Sequence, residues 1–321
     1  RHRTSAVFAW GSTKVRAYFE TDASIPFVTE NAGDIWVAPA LVMAMRTGLP
    51  LRLRDPISNS RRDHLAVVQG ILSTWFPARM SKIEVRAPRG TPAKRVGGRV
   101  VAACFTGGVD SFHTLVTNRG RLGALIYGFG LDVPQHELAE FGAQVSTLLE
   151  QVAAQENLML LGAETNLRRA GVSWGYEGPG AALAALGTVF SPVVRTVLIP
   201  STHSYDAATP WGSHPMLDHH WSTRRLRIGY DGGECSRVRK TQVIAHDPLV
   251  KKYLRVCYKQ FDQLNCGRCS KCIRTMATLQ VIGELQAFGG FPPAVDLEQA
   301  RNFVLQGSND AARIRDVYEF A

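Results

Sequence analysis

The sequence predicts an α/β protein built on a parallel sheet with helices on both faces. Three observations carry this. Beyond residue 98, strand-like runs alternate with amphipathic helical runs, the pattern of repeated βαβ units. The strand-like runs are continuously apolar, as strands covered on both sides are. The stretch 87–98, APRGTPAKRVGG, is rich in Pro, Gly and charge and has almost nothing apolar to bury, which predicts a boundary. The expected division is a small N-terminal α/β domain at 1–98, a second domain at 99–256 and a cysteine-bearing C-terminal part at 257–321.

In the first part, residues 5–9 and 14–19 read as a hairpin across Gly11-Ser12. A short helix is expected over 37–45, a strand at 51–53, and an amphipathic helix over 64–75 with Ser58 or Asn59 as its cap. Residues 82–86 make another strand. Past the boundary the order is strand 99–105, helix 111–118, strand 124–129, helix 136–156, strand 158–161, helix 180–190 and strand 195–199. The cysteine cluster precedes a helix over 272–287, and a final helix begins at Leu297.

Composition narrows the function classes. With 321 residues, 45% apolar and 20% charged, the chain has material for a substantial core and is neither disordered nor fibrous. No run reaches the ~18 uninterrupted apolar residues of a membrane span, and no secretory signal is visible, so a cytoplasmic protein is expected. Basic residues outnumber acidic ones 37 to 27, which favours anionic partners such as nucleotides. The densest basic run, 224–240, includes acids too and reads mainly as solvated surface; nucleic acid is permitted but not favoured.

The most informative local sequence is Thr106-Gly107-Gly108-Val109-Asp110-Ser111, directly after a buried-looking strand and at the start of a helix. Glycines let the backbone turn sharply, and unpaired N–H groups at the helix start converge on one point, which suits a phosphate. Thr106 and Ser111 add hydroxyls, and Asp110 is suited to hold Mg2+ beside phosphates. No Walker segment exists, and Gly128-Phe129-Gly130 lacks the third glycine of a dinucleotide fingerprint, with Val133 in its place.

Four of the six cysteines fall within sixteen residues: Cys257, Cys266, Cys269 and Cys272. The spacing C-x8-C-x2-C-x2-C lets thiolates converge on one metal, with Zn2+ preferred and an iron–sulfur cluster as the rival. Such a closed site holds structure and leaves no position open for catalysis. Cys104, inside a strand, reads as core.

Together the two motifs resemble the ATP pyrophosphatases, whose loop is Ser-Gly-Gly-x-Asp-Ser, and in particular the 7-cyano-7-deazaguanine synthases, which carry the same cysteine spacing. The resemblance covers about residues 99–283. It implies an adenine-nucleotide α-hydrolase-like fold, with ATP, Mg2+ and Zn2+ as cofactors. Thr106, Gly107, Gly108, Val109, Asp110 and Ser111 would bind the pyrophosphate, and Lys240 would face the phosphates. Tyr127 and Gly128, at a strand end, fall where adenine is expected. Asp110, Ser111 and Lys240 would carry the chemistry. His214 is the first of the acid–base candidates, ahead of His203, His219 and His220, because imidazole titrates near neutrality; Trp211 is suited to stack on a heterocycle.

The implied reaction is adenylation of a carboxylate with release of AMP and pyrophosphate, followed by amide or nitrile formation. The acceptor would be a small deazaguanine-like carboxylate or a protein or peptide, in a specialised modification or defence pathway; a homodimer is compatible with this. The substrate elements depart from the family: Trp211-Gly212-Ser213-His214-Pro215 replaces its Tyr-Pro-Asp-Cys-Arg string, and the first 98 residues have no counterpart. A thiolating or tRNA-modifying enzyme of the same superfamily and a non-catalytic nucleotide- or RNA-binding module are the rival readings.

Overall fold

A computed structural model describes residues 1–26, 30–91, 98–258, 263–296 and 316–321. The chain opens with a hairpin, β1 (His2–Trp10) and β2 (Thr13–Thr21), turning at Gly11, whose positive φ of 53° favours glycine. Helix α1 (Gly33–Thr47), strand β3 (Leu51–Arg52), helix α2 (Asn59–Trp75) and strand β4 (Val85–Arg86) follow. Ser58 caps α2, its hydroxyl accepting the Arg61 N–H. Then come β5 (Val100–Cys104), α3 (Val109–Thr117), β6 (Ala124–Phe129), α4 (Gly142–Gln155) and β7 (Met159–Thr165). The series continues with α5 (Pro179–Val189), β8 (Val194–Pro200), β9 (Arg227–Asp231), α6 (Arg237–Ile244), α7 (Pro248–Tyr253) and α8 (Ser270–Val281).

The main sheet has seven strands in the order β1-β2-β7-β6-β5-β8-β9. From β7 to β9 all neighbours run parallel, whereas β2 adds to β7 antiparallel, with Phe19 opposite Thr165. The expected α/β class holds in this coarser form: a mostly parallel sheet flanked by helices. Strand alternation sorts the core into two layers. Ala102, Cys104, Ala124 and Ile126 face α1, α2 and α5, while Ala103, Phe105, Leu125 and Tyr127 face α3, α4 and the C-terminal helices.

The sequence reading needs correction in five places. The first 98 residues do not form a core of their own: the hairpin extends the central sheet, and Phe19, Trp36 and Leu65 share one apolar cluster with Ala102 and Leu186. Fully buried Arg61 of α2 seals this joint, donating to the Trp221 carbonyl and, at 3.1 Å, to the Thr188 hydroxyl. The C-terminal part is likewise continuous with the layer that holds α3, since Cys257 and Cys272 pack in the same cluster as Phe112.

The helix expected over 136–156 starts only at Gly142, after a 3-10 turn at Gln135–Glu137. Gln135 is drawn sideways there, its amide donating to the Tyr18 hydroxyl at 2.6 Å. The helix expected over 272–287 stops at Val281, because Gly283 adopts φ 77° and a 3-10 turn follows. Strand β9 and helices α6 and α7 are additions; β9 is an edge strand with only Ile228 fully buried, so its sequence carries no strong apolar run. Residues 297–315 of the expected final helix and part of the 87–98 boundary lie outside the described residues, and residues 316–320 are helical.

Candidate functional site

The strand order places β5 between β6 and β8, so the chain departs from β5 to one side and later returns on the other. In open α/β sheets a crevice forms at such a switch point, outside the carboxyl ends of the strands. The Thr106–Ser111 motif sits at that point, joining β5 to α3. A cavity of about 160 Å3 opens there, lined by Thr106, Gly108, Asp110 and Ser111 from the loop. Tyr127 and Gly128 come to it from β6, and Pro200 and Thr202 from the end of β8. Trp174, Leu183 and Leu186 make an apolar side, and Arg237, Arg255 and Lys271 a basic one.

Each part of the loop has a physical task. Gly107 takes φ 78°, which turns the chain off the strand, and its carbonyl accepts the Arg255 N–H at 2.8 Å. Gly108 is the extended residue before α3 and offers no side-chain cap, so the first N–H groups of the helix are left for a ligand. Val109 buries its side chain in the core and contributes only backbone. Ser111 stabilises the loop itself: its hydroxyl donates to the Gly108 carbonyl at 2.9 Å and accepts the Thr106 N–H at 3.4 Å.

Asp110 stands at the centre of the charges. Its carboxylate lies 3.0 Å from Arg237 and 3.5 Å from Lys240. Burial opposes its ionisation, but Arg237, Lys240 and Lys271 outweigh that and hold its carboxyl below the usual value. Lys240 is only 1% exposed, with its ammonium donating to the carbonyl and hydroxyl of Ser201 at 2.6 and 2.5 Å. It stands behind Asp110 and does not itself line the cavity. Arg255 is buried, ion-paired with Asp132, and donates to the Thr106 carbonyl at 3.3 Å. Burial and the neighbouring Arg237 lower the Lys271 pKa, while Asp132 and Asp110 work the other way.

The sequence reading thus brings Thr106 to Ser111, Tyr127, Gly128 and Lys240 together. Tyr127 is buried against Phe129 at 4.7 Å between ring centroids, and burial raises the pKa of its hydroxyl. His214 does not line the cavity. It packs its ring on Trp75 of α2 at 4.6 Å, with Nδ1 accepting the Met216 N–H, and burial lowers its pKa. His219 and His220 stack on each other and toward His64, and Trp211 lies by Tyr176, so neither the histidines nor Trp211 line it either. The aromatic residues that do are Phe105, Tyr127 and Trp174. Arg237 belongs to the 224–240 run read mainly as solvated surface, and Arg255, Lys271 and Asp132 escaped sequence reading because isolated charged residues carry no local pattern.

The four cysteines gather as their spacing predicts. Their Sγ atoms lie within 4.8 Å of one another, with Cys266–Cys272 at 3.9 Å and Cys257–Cys269 at 4.0 Å. A tetrahedron of zinc–sulfur bonds of ~2.3 Å has edges of about 3.8 Å, so the buried group could hold zinc with little adjustment. The Arg268 and Cys269 N–H groups donate to Cys266 Sγ, and Gly267 at φ 69° allows this tight knuckle. Hydrogen bonding to Cys257 and burial raise the Cys269 and Cys272 thiols in the absence of a cation, a preference that metal binding reverses. The knuckle borders the cavity: Cys257 lines it, Arg255 lies two residues before, and Lys271 sits between Cys269 and Cys272.

Comparison with known proteins identified no relative: no family model, no curated protein and no solved structure matches the chain.

Proposed function

We propose that the chain activates a carboxylate with ATP, forming an acyl-adenylate and pyrophosphate, and then passes the acyl group to an amine, releasing AMP. The observation that supports this best is the meeting of the Thr106–Ser111 loop with Arg237, Arg255 and Lys271 in one cavity at the switch point of the sheet. The loop's open N–H groups and these cations suit a departing pyrophosphate, and Asp110, kept ionised, suits Mg2+. The apolar side with Trp174, Leu183 and Leu186 suits a planar base or substrate ring.

In this reading the carboxylate oxygen attacks the α-phosphorus, and the bond to the β-phosphate breaks with its electron pair leaving on pyrophosphate. The protein's share is orientation and charge stabilisation. Arg237, 20% exposed, would exchange its contact with Asp110 for a phosphate oxygen, while buried Lys240 keeps Asp110 in place. The acceptor class is a small carboxylate or a peptide, and amide or nitrile is the product class that the resemblance implies.

Incubation of the full chain with Mg2+, α-labelled ATP and a panel of carboxylates with ammonia tests this. AMP and pyrophosphate in equal amounts are expected. ADP as main product, or no binding of ATP or pyrophosphate by calorimetry, would overturn the reading.

A further inference from the structure

A second group of metal-ligating side chains lies apart from the four cysteines. His113 is on α3, one turn beyond Asp110, while Glu234 and Cys235 belong to the loop between β9 and α6. One ring nitrogen of His113, one carboxylate oxygen of Glu234 and the Cys235 sulfur lie within 4.8 Å of one another. We propose that His113, Glu234 and Cys235 form a second divalent-cation site, of the zinc class, with one position left open to solvent or a ligand oxygen.

Three features of the structure support the assignment. His113 is 1% exposed, yet its Nδ1 has no hydrogen-bond partner. A buried ring nitrogen without a partner requires an explanation, and an ion is one of the few available. The loop is also shaped to close on this ring: Gly232 adopts φ 81°, and a Cβ there would stand 3.0 Å from His113 Nδ1 and 3.4 Å from Lys240 Cε. Finally, burial falls off outward, from buried His113 through half-buried Cys235 to exposed Glu234, which gives a metal an entry path.

The ligand set decides the class. Imidazole, thiolate and carboxylate together suit Zn2+ or its borderline neighbours and not Mg2+, which takes oxygen ligands and keeps its waters. Three protein ligands are the pattern of sites that leave a fourth position for water or substrate, unlike the closed cysteine knuckle. The groups around His113 are balanced: Lys240 opposes a cation, but Asp110 lies against Lys240, and Asp231 and Glu234 add negative charge. The proposal is independent of the nucleotide reading, since it requires only a cation.

The test is metal stoichiometry. Full-length chain given excess Zn2+ and then desalted should retain two zinc ions per chain by elemental analysis. Cys235→Ser and Glu234→Gln alter only half-buried and exposed positions, so they should fold normally by circular dichroism. Cys235→Ser should then retain one ion, as should His113→Gln, while Cys269→Ser loses the other. Cobalt substitution should show a thiolate charge-transfer band in the second equivalent that Cys235→Ser removes. One zinc per wild-type chain with Cys235 fully open to alkylation would overturn the proposal. So would two zinc ions retained in both Cys235→Ser and His113→Gln.

Discussion

The two ends of the central sheet carry similar numbers of cations in opposite states. At the carboxyl end of the strands, Arg237, Lys240 and Arg255 are held by Asp110 and Asp132, and Lys240 and Arg255 are almost wholly buried. At the amino end, Arg99, Arg121, Arg195 and Arg227 surround a hollow with no carboxylate among its lining residues. All four are exposed, and none has an ion pair among the described residues; Arg121 only donates to Asn118 at 3.2 Å. Guanidinium groups near the carbonyl ends of helices such as α3 are favoured by the helix dipole and need no ligand. The comparison teaches that charge alone does not mark a site. Cations that are desolvated, paired with carboxylates and gathered around the same cavity as a helix start are the stronger candidate, because their placement was costly and is maintained by the fold.

The largest effect expected in breaking this contrast comes from the cysteine knuckle. Cys269→Ser should abolish one equivalent of bound zinc and lower the melting temperature sharply, since structural zinc in small modules supplies on the order of 10 kcal/mol. Because Arg255 and Lys271 reach the cavity from this knuckle, nucleotide affinity should fall with it. Unchanged melting and metal content in that variant would show the knuckle to be ornamental.

Next come the paired charges. Asp110→Ala should slow pyrophosphate release by ~10²-fold or more. Lys240→Met should do likewise and, unlike a solvated lysine, should also lower the melting temperature, because it leaves Asp110 and Ser201 without their buried partner. Steady-state kinetics beside calorimetry check both; a Lys240 variant with wild-type rate and melting would return it to the class of the exposed arginines.

A smaller, pH-dependent effect belongs to Asp218, fully buried beside α5. Burial above all pushes its carboxyl up to about 7, against hydrogen bonds from Ser213 and the His214 N–H. Between the ordinary value of 3.8 and about 7 the folded chain keeps a proton that the unfolded chain releases. Stability therefore falls as pH rises through that window and is not diminished by this group below it. Asp218→Asn should raise the melting temperature by a few degrees at pH 8 and leave it unchanged near pH 3.5, read by a melting series over pH. A gain that is equal at both ends would point to packing instead.

The smallest effect is expected at the amino end of the sheet. Arg195→Ala and Arg227→Ala should each change stability by less than about 0.5 kcal/mol and leave nucleotide turnover intact, as exposed unpaired positions do. A loss comparable to that of Lys240→Met would erase the distinction between the two ends.

Much of this was legible in the sequence, and for identifiable reasons. The strand at 124–129 was readable to the residue because Ala124–Phe129 is an uninterrupted apolar run on a central strand. The loop was readable because its glycines and helix start are local chemistry, and the four cysteines because spacing alone restricts where thiolates can go. The edge strand β9 was not, since it buries little. The placement of His214 was missed because a histidine's role depends on its neighbours, here Trp75 from 139 positions earlier in the chain.

The sequence by itself determined the alternation of strands and helices, the turn at Thr106-Gly107-Gly108 and the membership of the cysteine group. Each depends on interactions within a few residues or on the chemistry of one residue type. Only the tertiary structure decided that the N-terminal hairpin joins the sheet, that Lys240 is buried behind Asp110, and that Arg255 and Lys271 meet the loop. It also decided that His113 faces Glu234 and Cys235. These are contacts between distant segments, set by which apolar faces must be covered together, and no local pattern encodes which partner will cover them.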